Sequence, residues 1–418
     1  MSNAYKSTEL GVIPIDWDIV RFDSIAELRH GHQYRNYDFT DEGIKILKIT
    51  QIKSDETIDL SSCSFISGNR LEEFQKVVIN KGDILIALTG ATIGKIARFK
   101  SEELVLQNYR VGNFFPLKED VLYKDYFFHF LRSNLFYHQI ISRQTQSAQQ
   151  NIGKEEINNM LIFFPSFKEQ KAIASILTSF DDKIELLQAQ NETLENIAQT
   201  IFKEWFGKYQ VGDELPEGWR VGYLGKEFDI TIGRTPPRKE TEWFSDTPTG
   251  KKWISIRDIG NSGVYISNTS EYLTNEAIAK FNIPVIPKNT TIMSFKMTVG
   301  KLTITTEDML SNEAIAHLKL KNDTPVSSEF IFLHLQGLDF NALGSTSSIV
   351  TAINSTMIKN MEFIIPDNKI LKSFDDIIHP LFEKIKYNTK QIQTLTLTRD
   401  TLLPKLMSGK VRVDEFKE

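Results

Sequence analysis

The chain has 418 residues, of which 41% are hydrophobic and 25% charged, and a formal net charge of −5. That length and apolar content suit about two to four folded domains, and the acidic balance excludes a protein coated in basic residues, so any nucleic-acid contact must rest on local clusters. One cysteine, Cys63, excludes a disulfide framework and a cysteine-based zinc site. The seven histidines show no metal-binding spacing, no charged-then-apolar leader opens the sequence, and no run reaches the roughly 18 apolar residues of a membrane span. A cytoplasmic protein without a membrane partner or bound metal is expected.

In chain order, residues 1–165 alternate short strands and turns. Strands are predicted at Ile44 to Ile49 and Asp83 to Leu88, turns at Lys81-Gly82 and Thr89-Gly90, and a short amphipathic helix from Tyr126 to Leu135. Basic residues cluster at Lys95-Ile96-Ala97-Arg98-Phe99-Lys100, and further on at Arg234 with Arg238-Lys239 and at Lys251-Lys252 followed by Arg257. The polar stretch Arg143 to Asn151 is rich in Gln, a side chain able to read adenine edges. Over 166–210 the period changes: Ile173, Leu177, Phe180, Ile184, Leu187, Asn191, Leu194, Ala198, Ile201 and Trp205 fall at steps of four and three, a heptad seam.

The order then recurs. Residues 211–366 offer strands at Trp253 to Ile256 and Thr291 to Phe295, a helix at Glu329 to Leu335, and a polar stretch at Gly344 to Thr351. A second seam occupies 367–410: Phe374, Ile378, Leu381, Ile385, Asn388, Ile392, Leu395, Arg399, Leu402 and Leu406. Pro380 is expected to mark the true start of that helix and Pro404 its stop or a kink. Residues 411–418 form a tail.

Phe163-Phe164-Pro165 answers Ile364-Ile365-Pro366 at an offset of 201 (364 against 163), and Gly94-Lys95 answers Gly300-Lys301 at 206 (300 against 94). One unit is therefore used twice, and the drift marks loop insertions. The expected fold is α+β: two tandem-repeat globular target-reading domains separated by two long antiparallel coiled-coil helices, related by a pseudo-twofold. An Asn191–Asn388 pair would set the register, opposing Leu187 with Ile392, Leu194 with Ile385 and Ile201 with Ile378. Ile173 to Trp205 would measure roughly 48 Å as a helix.

Catalytic motifs fail. Thr89-Gly90-Ala91-Thr92-Ile93-Gly94-Lys95 has one residue too few for a phosphate loop, and Ile96 stands where the magnesium-binding hydroxyl belongs. No methyl-donor loop or methylase signature is present. Asp181-Asp182-Lys183 lies in the heptad helix and reads as a solvated face.

The repeated order of Ile13-Pro14-Ile15-Asp16-Trp17, Gly233-Arg234-Thr235-Pro236, Gln150-Asn151-Ile152, Glu169-Gln170-Lys171-Ala172-Ile173-Ala174 and Leu402-Leu403-Pro404-Lys405-Leu406-Met407-Ser408-Gly409 resembles the specificity subunits of type I restriction-modification systems. The resemblance implies a non-catalytic reader of a bipartite, asymmetric site in double-stranded DNA. Its helices would set half-site spacing and dock two modification (methyltransferase) subunits, with restriction subunits completing the complex. S-adenosylmethionine, ATP and magnesium would sit on those partners, and this chain would bind no cofactor. The rivals are a related system with fused methylase and nuclease, a coiled-coil adaptor for proteins, and a self-sufficient enzyme. The residues expected on the DNA backbone are Lys95, Arg98, Arg234, Lys296 and Lys301. Those expected on bases are Arg143, Gln146, Gln149, Arg257, Thr346 and Ser347. The first half carries Gly31-His32-Gln33-Tyr34 without the Thr-Pro of the second.

Overall fold

A computed structural model describes residues 5–143, 151–340 and 353–413. By contact the chain forms two compact units, Met1–Asp182 with Leu395–Glu418, and Lys183–Thr394. Both divisions fall inside a long helix, Phe167–Phe206 or Asn368–Met407, rather than at its end.

The first unit holds a four-stranded antiparallel sheet in the order Ile96–Arg98, Ile84–Ala87, Val111–Pro116, Ala26–His30. Its second sheet has five strands, Phe39–Thr40, Ser64–Ile66, Ile44–Leu47, Val105–Gln107 and Val78–Ile79, with Val105–Gln107 parallel to Ile44–Leu47. The second unit repeats the first sheet as Leu302–Thr305, Thr291–Ser294, Ile315–Leu320 and Phe228–Ile232, extended by Tyr265–Ile266 beyond Leu302–Thr305. It repeats the other sheet as Phe244–Ser245, Glu271–Leu273, Lys251–Ile254 and Leu310–Ser311, again with one parallel pair. Mostly antiparallel pairing joined by short connections makes both units α+β, as the sequence leads one to expect.

Each core is closed by long-helix side chains. In the first unit Phe22, Phe114, Phe127, Phe130 and Phe136 pack with Ile173, Ala174 and Leu177 of one long helix and Leu406 and Met407 of the other. In the second, Phe228, Phe330 and Phe363 pack with Ala198, Phe202 and Phe206 and with Phe374, Ile378, Phe382 and Ile385. Each such isoleucine, leucine, methionine or phenylalanine stabilises its unit by about 1.5–3 kcal/mol, so the seams are anchored to the globular parts as well as to each other. Within the second unit the helices run antiparallel: Phe206 meets Phe374 at 4.9 Å between ring centroids, and, 15 residues back along the first helix, Asn191 meets Asn388.

Two expectations need correction. The second long helix starts at Asn368 and runs unbroken through Pro380 and Pro404 to Met407. Both prolines are exposed, so the carbonyls they leave without a donor, on Asp376 and Asp400, lie on the solvent side of the helix, while buried Ile378, Phe382 and Leu406 hold it in place. The helix expected at Tyr126 to Leu135 is two, Lys124–Leu131 and Asn134–Arg143, separated where buried Ser133 turns its hydroxyl back to the Phe130 carbonyl at 2.6 Å.

Residues after the second long helix return to the start of the chain. Arg412 grips Asp16 through both carboxylate oxygens (2.9 and 2.8 Å) and Glu169 at 2.8 Å, and Trp17 Nε1 donates to Glu169 at 2.9 Å.

Candidate nucleic-acid interface

Each unit presents one equivalent hairpin. In the first, Ile84–Ala87 turns into Ile96–Arg98, with Gly94 N–H donating to Ala87 O and Ala87 N–H to Lys95 O, both at 2.9 Å. In the second, Thr291–Ser294 turns into Leu302–Thr305, with Gly300 N–H donating to Ser294 O and Ser294 N–H to Lys301 O, again at 2.9 Å. Gly94 and Gly300 both hold left-handed φ, 79° and 83°, which spares a side chain the steric penalty and fixes the lysine that follows. Lys95 and Lys301 have no side-chain partner among the described residues. Lys296, exposed on the same second-unit hairpin, lies over the Phe295 ring at 5.5 Å.

Arg98 is different. Its Nη1 pairs with Asp125 at 2.8 Å and its guanidinium covers Phe128 at 4.4 Å, with Nε and Nη2 buried, so its charge is committed inside the first unit. Arg234 is exposed and donates to Phe281 O at 3.1 Å, while its own carbonyl accepts from Trp253 Nε1 at 3.1 Å. Its place depends on Gly233, where an added Cβ would lie 2.2 Å from Asn312 O; Gly31 makes the matching approach to Gln107 O, 2.1 Å. Arg257 is exposed on the short helix Ile256–Gly260 without a side-chain partner among the described residues. Arg143 ends its helix, with Nη1 3.4 Å from Gln139 O. Gln146, Gln149, Thr346 and Ser347 lie outside the described residues.

Glu313 ties the second-unit elements together. Thr235 Oγ1 donates to its carboxylate, and Phe295 N–H donates to the neighbouring Ala314 O at 2.9 Å. Burial pushes the Glu313 carboxyl up, but the Thr235 hydroxyl and the charges of Lys296 and Arg238 outweigh it and hold it below its ordinary range. Arg238 is itself clamped, bidentate on Glu271 (2.7 and 3.0 Å) and against the Phe244 and Trp253 rings. Reading the sequence residue by residue misses Glu313 as the partner of Thr235 because the link spans 78 positions. In the first unit Gly31-His32-Gln33-Tyr34 instead packs His32 against Tyr34 and Phe74, both at 4.9 Å, with Arg70 bound to Asp38 and Glu73 nearby.

Two polar pairs cross the long helices. Asn388, fully buried, donates Nδ2–H to Asn191 Oδ1 at 2.9 Å and to Gln190 Oε1 at 2.8 Å. Asp181, expected on a solvated face, is instead an ionic hub in the first unit: Arg132 reaches it at 2.6 Å and Arg399 at 2.7 Å, while Arg132 also pairs with Glu56 at 2.9 Å. Burial raises the Asp181 carboxyl, and the two arginines outweigh it and hold it low. The solvated-face expectation fails because Arg399 occupies a seam position directly across from it. Among the described residues no three His, Cys, Asp or Glu side chains gather as a metal site, and no helix is long and apolar enough to cross a membrane.

Comparison with known proteins accords with this arrangement. The chain is 26% identical to the type I restriction enzyme MjaIX specificity subunit of Methanocaldococcus jannaschii, over 99% of this chain and 97% of that protein. It is 24% identical to the type I restriction enzyme HindI specificity subunit of Haemophilus influenzae, over 80% and 88% respectively. The crystal structure of a type I restriction-modification system S subunit from M. genitalium shares the fold, with a TM-score of 0.57 and 18% identity over 94% of this chain and 96% of that one. A profile described as the type I restriction modification DNA specificity domain matches residues 14–196 and again 216–397, and the chain therefore belongs to that family, carrying its domain twice.

Proposed function

We propose that this chain is the non-catalytic sequence reader of a type I restriction-modification complex, each unit reading one half of a split, asymmetric site in double-stranded DNA. The observation that carries the reading is the repeated hairpin, which places Lys95 in one unit and Lys301 in the other at the same backbone position without an internal partner among the described residues. Unpaired cations at matching positions suit phosphates, which fix orientation, while bases are read by the parts that differ between the units. The two long helices set the distance between half-sites and dock two modification subunits, and restriction subunits join that assembly. S-adenosylmethionine, ATP and magnesium are then bound by those partners. Adenine methylation and cleavage are the partners' chemistry, carried out in the cytoplasm.

Methylome sequencing of a host expressing this chain with its modification subunit tests the reading. A split, asymmetric adenine-methylated motif is expected. A continuous palindrome would sink the two-reader proposal, and failure of the assembled complex to bind any duplex would favour a protein adaptor.

A further inference from the structure

The two hairpin loops differ in sequence and by one residue in length, 88–95 against 295–301. The third residue after the first strand is left-handed in both, Gly90 at φ 71° and Met297 at φ 62°. Glycine adopts that conformation freely, whereas a long side chain such as methionine is strained in it. A strained apolar side chain ordinarily gains burial in return, but Met297 is 88% exposed. The backbone around it is held: buried Ser294 donates its hydroxyl to Thr298 O and accepts from Lys301 N–H at 3.1 Å, so the tip cannot relax without breaking that pair. Lys296 is exposed beside it, and Lys301 closes the same hairpin. A rigid hairpin that projects a thioether into solvent between two cations has the chemistry of a DNA-groove tip, with lysines for the phosphates and an apolar side chain for base edges or an opened base step.

We infer that Met297 is a specificity-determining residue of the second unit, making apolar contact with bases of its half-site while Lys296 and Lys301 take the adjoining phosphates. Gly90 gives the first unit no such contact. The inference rests on the DNA-reading assignment of the second unit.

The test uses the full chain assembled with its modification subunit, and a duplex carrying the motif that methylome sequencing returns for the wild type. Met297→Gly is expected to weaken binding about tenfold, leave the salt dependence unchanged, and relax the methylated motif in one half only. The same variant should unfold no earlier than the wild type, since glycine relieves the strained φ. Met297→Leu should restore binding by returning an apolar reach. Wild-type affinity and an unaltered motif in both Met297→Gly and Met297→Ala would overturn the inference, as would loss of binding accompanied by loss of folding in both. If the wild-type complex itself yields no split motif, the reading of the second unit fails first, a result distinguishable from variants that change nothing.

Discussion

Asn388 Nδ2 donates to Asn191 Oδ1 at 2.9 Å, a hydrogen bond between residues 197 positions apart that pairs the only two asparagines in the heptad seams. The geometry is demanding, because Asn388 is fully buried and its own Oδ1 has no partner. A buried amide satisfied on one side costs stability relative to an apolar pair, while fixing which residues face each other.

Replacing both asparagines with leucine should therefore raise the unfolding free energy by about 1–2 kcal/mol, read by urea denaturation. Asn388→Leu alone should gain less, since Asn191 and Gln190 lose their donor. A fall in stability for the double variant would show that the amide pair is stabilising outright.

Lys95 and Arg98 stand three residues apart yet face different tasks. Lys95→Gln should leave stability unchanged and lower the slope of log K against log salt by about 1. Arg98→Gln should cost about 1–3 kcal/mol of stability by stranding Asp125 and uncovering Phe128, with the salt slope intact. Equal salt slopes for Lys95→Gln and the wild type would remove Lys95 from the backbone contacts.

Asp181 is asymmetric in what it supports. Asp181→Asn should destabilise the protein by about 3 kcal/mol, because Arg132 and Arg399 would lose the buried carboxylate they share and keep only Glu56 and Asp400 respectively. Arg399→Met should cost under about 1 kcal/mol, since Asp181 keeps Arg132 and methionine suits a seam between Leu395 and Leu402. Thermal melts of the two variants, compared at one pH, check the order.

His129 and His317 are buried and kept neutral, their imidazoles pushed down to about 3, by burial first and then by nearby cations, Arg132 and Lys319 respectively. Below the ordinary histidine value of about 6.5 the unfolded chain takes up protons that the folded chain refuses. Stability should then fall as the pH drops from about 6.5 towards 3, by about 1.4 kcal/mol per pH unit for each histidine. His317→Gln retains a partner for Ser311 and Thr231, which the imidazole meets at 2.7 and 2.9 Å, and should flatten the dependence by one such increment. An unchanged slope would mean that His317 is not held neutral.

Much of the architecture was legible in the chain itself because it depends on local rules. Heptad steps dictate a seam, glycine turns between short apolar runs mark a hairpin, and duplication dictates that both recur, so the α+β units, the two long helices and the facing asparagines all follow from spacing. Tertiary structure alone decided how charges and strain are spent. Arg98, Asp181 and Arg399 carry no mark of their partners, since Arg399 finds Asp181 across 218 residues. Pro380 and Pro404 read locally as helix ends, and only buried neighbours on the opposite face carry the helix through them. Met297 is an unremarked letter until the backbone shows it holding a glycine's conformation in full exposure. Periodicity is a property of neighbours in sequence, whereas desolvation, ion pairing and strain depend on which distant segments the fold brings together.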